Sequence, residues 1–260
     1  MIKALFFDID GTLVSFSDHK IPLSTINAIK AAKAKGVKIF IATGRPRAFI
    51  NNLEEIEDCI DGYITNNGAH ILCYDKEIYS NPISKQDVEI LTKNAEKFNY
   101  PAIIMGKTHF GFFNYKEIVN TIFYGGLGIS MDKNRKPIKE ILQNEVYQIT
   151  VFLSEQEEEM FLKQTSHCIS GRWTQYFTDI TDKNADKGKA LAKVAEYLNI
   201  DINDTMAFGD GGNDIPVLKQ AGIGVAMGNA KGEVKANANF VTSSVDSNGI
   251  FNALKHFNVI

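Results

Sequence analysis

The fold class that the sequence predicts is α/β: a Rossmann-like, doubly wound parallel sheet core with an inserted α+β domain. Two observations predict it. Short apolar runs alternate with helical patterns in both terminal parts of the 260-residue chain, as in a parallel sheet with helices on both faces. From about 83 to 183 the pattern instead mixes helices, strand-like pieces, aromatic residues and turns. We therefore expect a core of residues 1–82 and 184–260, and an inserted domain of residues 83–183.

The first elements begin with an apolar run, residues 2–7, which predicts a buried strand ending at Asp8. A helix is expected over about 24–35, with Ser24 as its cap and Gly36 at its end. Residues 37–42 and 61–65 are strand-like. Between them, the turn at 43–46 is expected to open a second helix.

The helices and strands after residue 83 are predicted from the same apolar patterns. In the middle of the chain the patterns predict helices over 85–98 and 155–163 and a strand over 147–153. The alternation then resumes, with strands expected at 205–209, 223–227 and 239–242 and helices at 187–198, 213–221 and 246–257. These last elements return the chain to the predicted parallel sheet.

Composition narrows the function classes. The net charge of −3 does not suggest a nucleic-acid or membrane-surface binder, and no apolar run is long enough to span a bilayer. The three cysteines, Cys59, Cys73 and Cys168, are widely spaced and form no CxxC pair. They indicate a reduced, cytoplasmic protein without disulfides or a zinc site. Nothing in the sequence requires an interface, so we expect a monomer.

The first motif, Asp8-Ile9-Asp10-Gly11-Thr12, follows the first predicted strand. Ligands of open α/β sheets bind at the carboxyl ends of strands. Two carboxylates in one turn can act as nucleophile and proton carrier. The simpler interpretation is an acidic turn with a helix cap.

A second acidic motif, residues 209–214, follows the predicted strand 205–209. Its acids Asp210 and Asp214 stand four residues apart at a strand-to-helix junction and would make a site for a hard cation such as Mg²⁺. The alternative is an ordinary turn rich in Gly, Asp and Asn.

Two weaker signals suit a phosphate group. Thr43, Gly44 and Arg45 offer a hydroxyl and backbone N–H groups after a strand. Lys187, at the start of a predicted helix, could neutralise the charge of phosphate and nucleophile. Each is weak alone, because Thr-Gly turns and solvated lysines are common. Since all four signals fall at strand ends or helix starts, together they form a complete set for phosphoryl transfer.

In this order and spacing the four motifs resemble those of the haloacid dehalogenase superfamily of phosphatases. The stretches that carry the resemblance to its Cof-like branch are 5–13, 41–46, 66–69, 208–214 and 225–230. The position of the insertion, between the second and third motifs, resembles that of the type-two (C2B) cap class. Within this branch, the sequence resembles bacterial sugar-phosphate phosphatases.

The resemblance implies a role for each motif position. Asp8 would attack phosphorus to form an aspartyl-phosphate, and Asp10 would protonate the leaving alcohol and later activate water. Thr43, Lys187 and Asn213 would hold the phosphoryl group. Mg²⁺ would bind Asp8, the backbone carbonyl of Asp10, and Asp210, with Asp214 supporting the site. The inserted domain would be a cap that closes for transfer and opens for release.

Several alternatives stay open. A phosphomutase of the same superfamily would use the same core motifs but must grip a second phosphate, commonly with cap arginines; this cap holds only Arg135 and Arg172. A phospho-receiver module would be about half as long and would carry an adjacent acidic pair. A non-catalytic binding domain would have lost a motif.

The substrate is expected to be a small phosphate ester. Hexose or pentose phosphates are the first candidate substrates, and pyridoxal phosphate and flavin mononucleotide are the alternatives. Specificity is expected to come from the cap, and the segment 170–174, with Arg172 and Trp173, is the candidate contact with a sugar. The competing interpretation is that Trp173 packs inside the cap and Arg172 is solvated.

Overall fold

The computed structural model describes residues 1–126, 134–172 and 174–260. Its strands are β1 (Ala4–Phe7), β2 (Lys38–Ala42), β3 (Gly62–Thr65), β4 (His70–Cys73), β5 (Lys76–Ser80), β6 (Ala102–Met105), β7 (Phe110–Phe113), β8 (Gln148–Val151), β9 (Cys168–Gly171), β10 (Thr178–Asp182), β11 (Thr205–Gly209), β12 (Ile223–Ala226) and β13 (Phe240–Val241). Its α-helices are α1 (Leu23–Ala34), α2 (Lys85–Lys97), α3 (Ile118–Asn120), α4 (Ile138–Leu142), α5 (Glu155–Leu162), α6 (Lys187–Tyr197), α7 (Ile215–Gln220), α8 (Gly232–Ala236) and α9 (Gly249–His256).

The larger sheet has the strand order β13-β12-β11-β1-β2-β3-β4-β5. The strands from β13 to β3 pair in parallel, and β4 and β5 add an antiparallel edge. Strand β1 lies between β11 and β2 because its four residues are apolar and buried on both faces of the sheet. The predicted α/β core with a parallel sheet is confirmed.

Alternate side chains of β1 pack on opposite faces of this sheet. Phe6 stacks on Phe40 of β2, with ring centroids 5.1 Å apart. Phe7 stacks on Phe208 of β11 at 4.9 Å. On the Phe6 face, α6 and α7 contribute Leu191 and Leu218 to a fully buried cluster. Because β1 is packed from both sides, the residue that follows it is held on a rigid support.

The second sheet has the order β7-β6-β8-β10-β9 and pairs antiparallel throughout. Helices α2, α4 and α5 contribute to a buried cluster on one face, which also contains Ile104, Ile149 and Ile180 from three of its strands. Among the described residues no helix has the length and the apolar character needed to cross a membrane.

The chain divides into two compact units. Residues 1–44, 51–80 and 186–260 form the core unit, and residues 45–50 and 81–185 form the inserted unit. The sequence pattern predicts domain boundaries after residues 82 and 183 and places residues 45–50 in the core. That short segment instead joins the inserted unit because Phe49 packs in its aromatic cluster, with its ring 4.8 Å from that of Phe110.

The predicted helix after Thr43 is wrong. Pro46 has an extended backbone (φ −67°, ψ 155°), and Asn52 is left-handed (φ 62°), so residues 47–49 and 54–59 form only short 3₁₀ turns. The predicted cap of α1 is also wrong: Pro22 stands at that position, and Ser24 lies inside the helix. The helix does end before Gly36, which is left-handed (φ 83°), as predicted.

Candidate active site

The carboxyl ends of three neighbouring strands position the first site residues. Asp8 follows β1, Thr43 follows β2 and Asp210 follows β11. These strands are parallel and adjacent, so all three residues lie at one edge of the sheet. Asp10 lies in the turn after Asp8, is half-buried, and its backbone forms an isolated bridge with Val14.

Lys187 reaches the same edge from helix α6. Its helix begins there because the side chain of Asp186 caps it by accepting a hydrogen bond from the Lys189 N–H at 2.8 Å. The ammonium group of Lys187 is completely buried and lies 2.8 Å from Asp8 Oδ1 and 2.6 Å from Asp214 Oδ1. The simpler interpretation of a solvated lysine is therefore wrong, because a buried ammonium needs such partners.

Asp214 uses both carboxylate oxygens inside the protein. While Oδ1 accepts from Lys187, Oδ2 accepts from the backbone N–H groups of Asp210 at 3.0 Å and Gly211 at 2.9 Å. A Cβ on Gly209 would lie 2.4 Å from Cβ of Asp214, so only glycine allows this approach. Asp214 thereby fixes both the acidic loop and the lysine.

Asp210 is oriented by two side chains. Its Oδ1 accepts from the Thr12 hydroxyl at 3.1 Å, and its Oδ2 accepts from the Asn229 amide at 3.2 Å. The same amide donates to the carbonyl of Gly11 at 2.8 Å. Gly11 is left-handed (φ 77°), and a Cβ there would lie 2.3 Å from Asp210 Oδ2. The two acidic motifs are therefore joined by hydrogen bonds and by a close backbone approach.

The carboxylates of Asp8, Asp210 and Asp214 form a group that could hold a cation. One oxygen from each lies within 4.8 Å of the others. When all three carboxylates are ionised, three negative charges minus the one positive charge of Lys187 leave two negative charges uncompensated. An all-oxygen donor set with such a surplus fits a hard divalent ion such as Mg²⁺.

Burial and the neighbouring charges together shift the pKa values of these groups. Burial, and then the charge of Asp214, raise the pKa of Asp8 well above its usual range, against the opposing effect of Lys187. Burial and Asp214 raise the pKa of Asp210 to about 7, although the Thr12 hydrogen bond opposes this. Burial alone would lower the pKa of Lys187, but Asp214 and Asp8 outweigh it and raise that pKa.

A second group of residues gathers around the Thr43–Gly44 turn. Thr43 is buried, its N–H donates to Ile64 O at 2.9 Å, and its carbonyl accepts from the Asn67 N–H at 3.1 Å. The Asn213 amide donates to Asn67 Oδ1 at 3.0 Å, and that oxygen would lie 3.0 Å from a Cβ placed on Gly44. Thr43, Gly44 and Asn213 are thus brought together, but not at a helix N-terminus.

Two residues of this edge, Asn67 and Asn229, belong to stretches that carry the family resemblance but had no role predicted from the sequence. Asn67 links the turn after β2 to the acidic loop, and Asn229 links the two acidic motifs. Both stand in loops that follow strands, β3 and β12. Their positions after strand ends resemble those of Asp8 and Asp210, and this is the signal in the sequence by which they could have been predicted.

Two predicted contact residues have partners inside the inserted unit. The guanidinium of Arg45 donates to the Phe49 carbonyl at 2.9 Å. Arg172 forms an ion pair with Glu158 and donates to the carbonyls of Leu153 at 2.8 Å and Thr174 at 3.0 Å. These contacts hold the Arg172 side chain, which is 15% exposed, within the inserted unit. Trp173 lies outside the described residues.

A doubly wound sheet that presents this aspartate, buried lysine and acidic cluster at one edge is typical of a phosphatase of the haloacid dehalogenase type. The chain belongs to the haloacid dehalogenase-like hydrolase family, whose model matches residues 5–254.

Individual similar proteins are also described as phosphatases. A putative phosphatase of Bacillus subtilis, YkrA, is 33% identical over 261 residues, which cover 99% of this chain and 98% of that protein. The solved structure of the HAD subclass IIB sugar phosphatase BT4131 is 46% identical, has a TM-score of 0.91, and is matched over 99% of this chain and 100% of its own. The HAD-superfamily phosphatase BT1666 from Bacteroides thetaiotaomicron is 36% identical, with a TM-score of 0.88 and coverage of 100% and 96%.

Proposed function

We propose that the protein is a Mg²⁺-dependent phosphatase of small phosphorylated metabolites, sugar phosphates first, and that it works through an aspartyl-phosphate on Asp8. The observation that carries the proposal is the buried contact of Lys187 with Asp8, beside the carboxylate of Asp210. This contact orients a carboxylate at the end of a rigid central strand, next to a group of oxygens that suits a divalent ion.

Asp8, the backbone carbonyl of Asp10, and Asp210 would hold the ion, and Asp214 would keep their loop in place through its backbone hydrogen bonds. When bound, Mg²⁺ supplies positive charge that offsets the repulsion between a carboxylate and a phosphate ester. Lys187 supplies a second positive charge at the same point, and both would draw the phosphate oxygens toward Asp8.

In the first step, an oxygen of Asp8 forms a bond to phosphorus while the bond from phosphorus to the leaving oxygen breaks. Asp10 gives its proton to that oxygen, so that an alcohol leaves. In the second step, Asp10 takes a proton from water, the water oxygen bonds to phosphorus, and the bond to Asp8 breaks. The phosphate is released, and both aspartates return to their initial states. Thr43, Gly44, Arg45 and Asn213 are proposed to contact the phosphate oxygens.

The contacts of the inserted unit support hydrolysis over the mutase reaction. A mutase needs a cationic grip on a second phosphate. Residues 81–185 of that unit contain two arginines: Arg172 is paired with Glu158, and the guanidinium of Arg135 lies 4.7 Å from the centre of the Phe112 ring. Both are used in packing the unit itself. The similarity to a sugar phosphatase supports a sugar phosphate as substrate, and we extend the proposal to a cytoplasmic monomer.

The test is phosphate release from a panel of hexose phosphates, pentose phosphates, pyridoxal phosphate and flavin mononucleotide, with Mg²⁺ and with excess chelator. We expect Mg²⁺-dependent release and the highest kcat/KM for a sugar phosphate. Full activity in chelator would overturn the metal assignment. A reaction that needs a bisphosphate activator and moves the phosphate within the sugar would identify a mutase.

A further inference from the structure

An exposed aromatic ring lies against the catalytic turn of the core unit. Phe16 is 55% exposed, one of the large apolar side chains that the core unit leaves in solvent. Its ring atom Cε2 would lie 2.7 Å from a Cβ built on Gly11, the residue between Asp10 and Thr12. The same Cβ position is 2.3 Å from Asp210 Oδ2, so ring and carboxylate meet at one glycine.

The ring is held there by an ordered turn. Ser15, which precedes it, is 3% exposed, and its hydroxyl donates to Asp246 Oδ1 at 2.6 Å. The Ser17 N–H donates to that hydroxyl oxygen at 3.0 Å, and the His19 N–H donates to the Ser15 carbonyl at 3.0 Å. Such fixed backbone on both sides means that the exposure of Phe16 does not come from a loose loop.

We propose that Phe16 is a specificity-determining residue on which the carbon part of the substrate stacks. This inference rests on the proposed function, since it takes Asp10 as the group that meets the leaving oxygen. The leaving group must then pass beside the turn 10–12, where Phe16 offers a flat apolar face. A single exposed aromatic residue is common on protein surfaces. Phe16 differs from such a residue because its ring lies against the catalytic turn and because the hydrogen bonds of Ser15 hold its backbone in place.

The flat apolar face of the Phe16 ring determines which kind of alcohol group on the phosphate ester it can bind. The C–H groups on one side of a pyranose ring, or an aryl ring, can cover Phe16 and remove apolar surface from water. A short, flexible ester such as ethyl phosphate cannot cover the ring. Phe16 therefore favours phosphate esters of ring-containing alcohols over acyclic ones, and leaves phosphate binding itself unaffected.

The experiment compares Phe16→Ala, Phe16→Leu and Phe16→Trp on a hexose 6-phosphate, phenyl phosphate and ethyl phosphate. Tyr74→Ala is the matched control: Tyr74 is 50% exposed but follows β4 at the opposite edge, where its N–H donates to the Asp61 carbonyl at 2.6 Å. We expect Phe16→Ala to lower kcat/KM for the two ring esters about tenfold, mainly through KM, and for ethyl phosphate less than about twofold.

Phe16→Trp should keep the preference for ring esters, and Phe16→Leu should lose most of it because it keeps bulk but not a flat face. Inhibition by inorganic phosphate should be unchanged in all three variants. Equal losses for all three esters, or none, in folded Phe16→Leu and Phe16→Ala would overturn the inference. Wild-type protein that releases no phosphate from any ester would instead refute the proposed function, so the two failures are distinguishable.

Discussion

The ammonium group of Lys187 lies 2.8 Å from Asp8 Oδ1, although the two residues are 179 positions apart in the chain. The contact is buried, and Lys187 shares its charge with Asp214 at 2.6 Å. A buried lysine that is paired with two carboxylates is costly to remove, because both carboxylates then lose the positive charge that compensates them. This relationship makes the site testable even without a substrate.

Lys187→Met should therefore reduce both stability and activity. The methionine keeps much of the apolar stem but leaves Asp8 and Asp214 unpaired, so we expect a loss of about 3 kcal/mol in the free energy of unfolding. We expect kcat to fall by about 100-fold or more, because a charge at the transferring phosphate is lost. Denaturant unfolding and phosphate release measure the two effects. Lys189→Met, on the exposed side of the same helix, should change neither; equal effects at both positions would contradict the assignment.

Asp8→Asn should abolish turnover while preserving the fold. The amide is a poor nucleophile but keeps the size of the side chain and an oxygen that can accept from Lys187. Mass spectrometry of acid-quenched wild-type enzyme should find one phosphoryl group on Asp8, and none in the variant. Asp61→Asn is the control, since Asp61 is an equally buried acid before β3, paired with Lys33 at 2.6 Å. It should lose stability and keep kcat. Turnover near the wild-type rate in Asp8→Asn would refute the mechanism.

The protein without metal should become less stable as pH rises. The pKa of Asp210 in the folded protein, about 7, lies above its unfolded value of about 4, so the protonated form favours folding. That stability is fully present below the unfolded pKa and is lost as pH rises through about 7. Between pH 5.5 and 8 we expect the Tm to fall by a few degrees, roughly 2–6 °C.

Mg²⁺ should restore more stability at pH 8 than at pH 5.5, because protons compete with it for the same oxygens. Calorimetric melting with and without Mg²⁺ checks both statements. In Asp210→Asn the difference between the two pH values should shrink. Equal stabilisation by Mg²⁺ at both pH values in the wild-type protein would contradict the assignment of Asp210.

Asp10→Ala should affect substrates according to their leaving groups. A sugar alkoxide leaves poorly without a proton, whereas nitrophenolate needs less help. Single-turnover phosphoryl transfer should therefore slow by about 100-fold or more for a sugar phosphate and much less for nitrophenyl phosphate. Asp10→Asn tests the same loss with the size conserved. If both esters slow equally in both variants, Asp10 is not the proton donor.

Asn229→Ala should weaken Mg²⁺ binding although Asn229 is not an expected ligand. Its amide orients Asp210 and the Gly11 carbonyl, and loss of such a partner typically costs about 10–100-fold in metal affinity. Asn239→Ala removes a comparable hydrogen bond, from the Gly224 N–H at 2.7 Å, where β12 begins. Titration of Mg²⁺ against activity should separate the two variants. The same affinity in both would assign Asn229 a purely structural role.

Helices and strands could be predicted from the sequence where the spacing of apolar residues fitted only one of the two. The strand predicted at 205–209 is observed with those ends, and α6 ends one residue before its predicted limit. The helix expected after Thr43 failed because Pro46 and Asn52 fix extended and left-handed backbone there, which a search for turn signals alone had interpreted as a helix start.

Site residues were readable where side-chain chemistry and strand ends coincided, as at Asp8 and Asp210. The local sequence alone did not distinguish Lys187 from a surface lysine, because its burial depends on carboxylates that are distant in sequence; its role was implied by the family resemblance. Asn229 and Asn67 were given no role, although both follow strand ends, as Asp8 and Asp210 do. Arg172 could not be assigned from sequence, because its partner Glu158 is on α5 rather than on its own segment.

Residues 45–50 have a consequence for modular engineering. They follow the turn of Thr43 and Gly44 but belong to the inserted unit, where Phe49 is 3% exposed among its aromatic neighbours. An exchange of this unit between relatives must therefore transplant two separate pieces of chain, 45–50 together with 81–185. A graft of 81–185 alone would pair a foreign aromatic cluster with the resident Phe49. Recombination only at the junctions near residues 81 and 185 would thus leave out residues 45–50, the six residues that complete the inserted unit. We expect such chimeras to misfold.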